Sequence, residues 1–178
     1  MKTTRKSGLS PQVLWSKKAE RALQGVIRKA HLVPKLRKKA PAPKWVVEIE
    51  IVGRAAMRKL NREARGKDRP TDVLSFELPE GFRRQGLIGQ LVICLPVLKS
   101  QARELGHAES TELRVLIVHG LLHLLGFDHE KGPAAAREMA RLEDRILGSG
   151  RKGRATSHSS PASPASPGLI RRVHSCIN

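Results

Sequence analysis

Residues 119–130 read HGLLHLLGFDHE, and the placement of that run decides the fold. It sets three histidines, His119, His123 and His129, in an apolar stretch, with Gly120 directly after the first. Positions four apart lie on one face of a helix, so His119 and His123 can aim their imidazoles at one point. Taken alone, that pair reads equally well as two satisfied core histidines. Gly126 lies seven residues after His119, and glycine supplies the left-handed backbone with which a helix stops and the chain doubles back. His129, three residues further on, then returns toward the same point. Three neutral imidazoles at about 2.0–2.1 Å from an ion leave a fourth tetrahedral position open, as in catalytic rather than structural zinc sites. One Zn²⁺ ion is therefore expected on His119, His123 and His129.

Written out, H-x-x-x-H-x-x-G-x-x-H has the ligand and glycine spacing of the metzincin zinc proteases. Those enzymes carry a glutamate base where this chain has Gly120, and a hydrogen atom cannot take a proton. Another group must act as base, or the reaction differs. Zinc can bring the pKa of a water near 7 without a glutamate. Asp128 and Glu130 flank the last histidine, either as a base or as acceptors for imidazole N–H groups; each reads equally as a solvated loop carboxylate.

Working outward, SKKAERALQGVIRKAH predicts a helix over 16–31, capped by Ser16, with Ala19, Leu23, Val26, Ile27 and Ala30 on its inner face. KLRKKAPAPK reads as a basic linker broken by Pro41 and Pro43. WVVEIEIV over 45–52, TDVLSFEL over 71–78 and LIGQLVICL over 87–95 are strand-like, the last apolar enough to be central. PEGFRRQG between the latter two reads as a loop. Helices follow for 54–64, for 96–105 opened by Pro96, from about 110 through the histidines, and for 133–147. The fold expected is α+β, a small mixed sheet of about four strands packed with about five helices around a zincin-like three-histidine metal site.

The chain of 178 residues carries 34 Lys and Arg against 16 Asp and Glu, a formal net charge of +18. Residues 1–44 hold 13 basic residues and one acid, and 149–178 hold five and none, whereas 45–147 is close to balanced with 16 and 15. A neutral body with basic ends suits a polyanion partner such as RNA, because each neutralised phosphate releases counterions. The division expected is a basic helix and linker over 1–44, a catalytic core over 45–148 on which helix 16–31 packs, and a disordered Ser/Pro-rich tail over 149–178. Two cysteines, Cys94 and Cys176, make no disulfide framework. With no run of ~18 apolar residues and no signal-like h-region, a cytoplasmic protein with no membrane partner is expected.

HGLLHLLGFDH closely resembles the HGxLHLxGxDH signature of the YbeY-type endoribonucleases, rRNA maturation factors of bacteria and organelles. NREARGKDRPTDVLSF over 61–76 is similar to a second block of that family, and the resemblance covers about 45–147. It implies zinc on the three histidines and a functional arginine at Arg65. Independently, a guanidinium can brace a phosphate in a bidentate fork as charge grows on its oxygens. Lys67 and Arg69 extend that phosphate track, and Thr71 and Asp72 either line the cleft or cap a strand. The chain departs from the family at Gln90, where an aspartate is usual.

The resemblance implies a zinc-dependent, single-strand-preferring endoribonuclease in rRNA maturation, including 16S rRNA 3′ end processing, and in ribosome quality control. Its partners would be the small ribosomal subunit, one of its proteins and an assembly GTPase. With no Tyr, three Phe and two Trp, the chain has few rings on which to stack bases, which favours placement by a protein partner. The attacking oxygen, from water or the RNA 2′-OH, stays open. Two alternatives remain at this stage, a metallopeptidase-like hydrolase and a non-catalytic ribosome-assembly factor that contains zinc.

Overall fold

The structure is a computed structural model that describes residues 11–148; the expectation of a disordered tail over 149–178 lies outside the described residues. Three strands, β1 (Val46–Val52), β2 (Val73–Glu77) and β3 (Leu87–Cys94), form one sheet in the order β1-β3-β2. β1 runs parallel to β3, pairing Ile49 with Leu91, and β2 runs antiparallel to it, pairing Ser75 with Leu91. LIGQLVIC, apolar but for Gln90, suits the middle position, where both faces are covered. All of β3 from Ile88 onward is buried.

Among the described residues seven α-helices pack about the sheet: α1 (Pro11–His31), α2 (Pro34–Lys39), α3 (Arg54–Arg65), α4 (Glu80–Arg84), α5 (Leu95–Glu104), α6 (Glu109–Leu124) and α7 (Pro133–Leu147). One core joins Leu91 and Ile93 of β3 to Leu116, Ile117 and Leu121 of α6, to Leu23 and Ile27 of α1, and to Met139 and Ile146 of α7. On the opposite face Val92 and Cys94 pack with Leu74, Phe76 and Met57 of α3. α6 therefore lies directly on the sheet with α1 and α7 alongside it.

The α+β class and mixed sheet are as expected, with one strand fewer and two helices more among the described residues. Residues 34–39 are helical rather than linker. Pro34 sits in the first turn, where its missing N–H costs nothing, and Leu36 is fully buried. Trp45 Nε1 donates to the Ala40 carbonyl at 2.9 Å, fixing the exit of the prolyl segment that follows. PEGFRRQG is mostly the short α4, not open loop. α1 starts before Ser16, whose hydroxyl donates to the Gln12 carbonyl at 3.1 Å and so lies within the helix instead of capping it.

Candidate metal centre

α6 begins with Glu109 and Glu112 in its first turn, where carboxylates favour the positive end of the helix dipole. From Val115 to Leu124 every residue is buried. Its end is a Schellman turn: Gly126 N–H donates to the His123 carbonyl at 2.7 Å and Phe127 N–H to the Leu122 carbonyl at 3.0 Å. Gly126 adopts φ +82°, the left-handed conformation that the sequence reading requires there. The chain reverses, and Asp128 caps a 3-10 turn over His129–Lys131 by accepting from the Glu130 N–H at 3.0 Å.

That reversal brings the three histidines together. One ring nitrogen of each lies within 4.8 Å of the others, and the rings stand 4.7–5.3 Å apart between centroids. His119 and His123 face each other through Nε2 at 3.1 Å. Tetrahedral bonds of about 2.0–2.1 Å place two ligand nitrogens roughly 3.3 Å apart, so this pair already has the spacing that zinc needs. His123 is buried as well, with the Phe127 backbone beside its ring. Burial first, then His119, His129 and Arg65, pushes His123 down to about 3. Its ring is neutral at ordinary pH, as a ligand must be. The donor set, its burial and this spacing all fit a zinc ion.

Gly120 faces away from that cluster, toward Leu91 and Ser75 of the sheet. The position that holds the glutamate in the proteases is here the contact between α6 and β3.

Arg65 is the last residue of α3. It is half-buried, and its Nε and one Nη are sequestered without hydrogen-bond partners. Burial lowers its pKa, while Glu130 and Asp72 nearby oppose that shift. Its charge in turn acts on His123, so residues more than fifty positions apart in sequence share one electrostatic site.

Lys67 and Arg69 are exposed on the loop after α3 and line a cavity of about 300 Å³ with Asn61, Thr71, Asp72 and Gln101. None of the three histidines lines it. Asp72 is buried, accepting from Thr71 Oγ1 at 3.0 Å, the Val73 N–H at 2.8 Å and Gln101 Nε2 at 3.1 Å; it fixes the entry to β2. Gln90, on the central strand β3, lines a separate cavity with Glu20, Gln24 and Glu48.

One carboxylate at the centre escapes the motif. Glu143 of α7 lies 2.7 Å from His119 Nδ1 through Oε1, and both side chains are buried. The signal in the sequence is its register: Met139, Leu142 and Ile146 form the buried stripe of α7, and Glu143 lies within it.

The family model for Endoribonuclease YbeY matches residues 11–150. A relative with that description from Aquifex aeolicus is 47% identical over 91 residues, covering 51% of this chain and 61% of its own. Another, from Anaeromyxobacter, is 46% identical over 117 residues, covering 65% of this chain and 60% of its own. The chain thus spans about three-fifths of the length of these curated relatives. The solution structure of TM1509 from Thermotoga maritima is similar at a TM-score of 0.51 and 26% identity, over 79% of this chain and 83% of that one.

Proposed function

The chain belongs to the Endoribonuclease YbeY family, and from that premise we propose that it is a zinc-dependent endoribonuclease that prefers single-stranded RNA. The observation that carries the reading is Arg65, whose guanidinium keeps two sequestered nitrogens without hydrogen-bond partners while its charge reaches His123. A partly desolvated guanidinium beside a three-histidine cluster suits a phosphodiester, whose anionic oxygens pair with its planar fork.

In this reading His119, His123 and His129 hold one Zn²⁺, which supplies Lewis acidity toward a phosphate oxygen. Arg65 donates to the non-bridging oxygens and strengthens those bonds as charge accumulates. That role is the same whether water or a 2′-OH attacks. Lys67 and Arg69 hold the neighbouring backbone phosphates. Asp128 shapes the turn, which leaves Glu130, exposed beside Arg65, as the candidate proton acceptor. Gly120 gives a peptidase no glutamate base.

We assign the substrate to rRNA, with maturation of the 16S 3′ end and ribosome quality control as the setting in the cytoplasm. The basic ends supply nonspecific attraction, and a small-subunit ribosomal protein with an assembly GTPase supplies placement. No helix among the described residues is long and apolar enough to cross a membrane.

The test is metal analysis with cleavage of a 3′-extended 16S fragment by metal-stripped, zinc-restored protein, comparing wild type, Arg65→Ala and His119→Ala. Both variants should lose cleavage while retaining wild-type circular dichroism. Cleavage that survives both changes refutes the nuclease reading. Peptide hydrolysis by wild type without RNA cleavage would favour the metallopeptidase, and zinc loss that unfolds the chain would favour the assembly factor.

A further inference from the structure

We propose that Glu143 is the positioning residue of the metal centre: it fixes His119 in the tautomer and orientation that present Nε2 to the ion. The inference rests on the metal part of the functional reading above and adds a residue to which the sequence motif gives no role.

A carboxylate at a core position is costly unless charged or polar groups meet it. α7 is amphipathic, with Met139, Leu142 and Ile146 buried against α6 and the sheet, and Glu143 shares that interior at 7% exposure. An aliphatic residue would fill the position with no desolvation penalty. What meets the carboxylate there is His119 Nδ1, at 2.7 Å, the short separation of a charge-assisted hydrogen bond.

A neutral imidazole has one N–H and one lone pair. With Glu143 Oε1 as the acceptor at 2.7 Å, the N–H of His119 is Nδ1–H, donating to the carboxylate. The lone pair is then on Nε2, the nitrogen that faces His123 Nε2 at 3.1 Å and the direction in which the cluster converges. The same bond stops the ring from flipping and makes Nε2 a stronger donor to a metal. His123 differs, because its ring meets the Phe127 backbone and not a carboxylate. Of the two histidines on α6, His119 is the one braced by a carboxylate. Since α7 supplies the brace and α6 the ligand, the packing of those two helices sets the aim of the ring.

The experiment measures zinc affinity of the full chain by competition with a chromogenic chelator, for wild type, Glu143→Gln and Glu143→Leu. Circular dichroism and melting temperature are recorded alongside. Nitrogen-15 spectra of the imidazoles in metal-free protein report the His119 tautomer. Leucine approximates the volume and cannot accept; it should weaken zinc binding about 10- to 100-fold and shift His119 away from the Nδ1–H form without loss of fold. Glutamine keeps an acceptor oxygen and should recover most of that loss. A purely packing role predicts instead that Glu143→Leu binds zinc as wild type does, and that result overturns the proposal. An Nε2–H tautomer in wild type overturns it as well. Failure of wild type to bind zinc would sink the metal reading itself, and the role of Glu143 with it, whereas wild-type binding unaffected by Glu143→Leu sinks only the latter.

Discussion

Gly120 of α6 and Leu91 of β3 meet so closely that a Cβ on the glycine would stand 2.6 Å from Leu91 Cδ2 and 3.1 Å from Ser75 Oγ. Leu91 is fully buried in the central strand, so it has little room to retreat. Gly120→Ala gains roughly 1 kcal/mol of helix propensity but overpacks a core contact that typically costs about 1–3 kcal/mol. A net loss of stability of about 1 kcal/mol is expected, read as a lower urea midpoint with an unchanged slope. Gly120→Glu buries a carboxylate against apolar neighbours and should fail to fold, not become a protease. A stable Gly120→Ala protein would show that the helix can lift off the sheet.

In the proposed function Arg65 puts activity and stability in opposition. Arg65→Ala should lower the cleavage rate about 10²- to 10³-fold, the range for a lost donor to transition-state charge. Arg65→Lys should recover only a fraction, because an ammonium lacks the planar fork. Because burial disfavours the charge there, Arg65→Met should melt at or above the wild-type temperature while remaining inactive. A marked fall in melting temperature would recast Arg65 as a structural residue.

His123 governs acid stability of the metal-free protein. Its folded value of about 3 lies below the ordinary 6.5, so between those pH values the unfolded chain takes up a proton that the folded one refuses. This contribution is complete above pH 6.5 and is lost as the pH falls toward 3, at up to roughly 1.4 kcal/mol per pH unit. Urea titrations across that window should show a steeper decline for wild type than for His123→Asn. Equal slopes would place the acid sensitivity elsewhere.

Gly126 determines where His129 lands. Its φ of +82° costs an L-residue about 1–2 kcal/mol, and an added Cβ would also stand 3.3 Å from an Arg83 Nη. Gly126→Ala should weaken zinc binding at least tenfold, with Gly126→Asn milder because asparagine tolerates the left-handed region. Chelator competition measures both. Unchanged affinity would mean that His129 reaches the cluster by another route.

The centre was legible where local chemistry dictates geometry. The four-residue spacing of His119 and His123 needs only a helix, and Gly126 needs only the cost of left-handed backbone, so both could be read without knowing what surrounds them. Arg65 came through resemblance, since nothing local in NREARGKDRP tells a loop charge from one turned inward. Glu143 was missed because its meaning depends on α7 packing over α6, a tertiary fact that no window of sequence contains. α2 was missed for a related reason: six residues of basic sequence carry little periodicity, and it is the burial of Leu36 that holds them helical. The strand count differs by one among the described residues, since a strand exists only where a segment finds a partner, which propensity alone does not fix.

α6 carries two of the three histidines within the core and leaves the third to a turn. Every residue from Val115 to Leu124 is buried, so the amides of that stretch should belong to the most slowly opening part of the fold. His129 is half-exposed on a three-residue turn. An ion held by these residues would therefore have one slow hinge and one quick one: it would enter and leave by way of His129, on the timescale of a loop, while His119 and His123 stay set. Zinc exchange faster than amide exchange in α6 is the kinetic signature of that arrangement, and it would let the protein lose and regain its metal without unfolding.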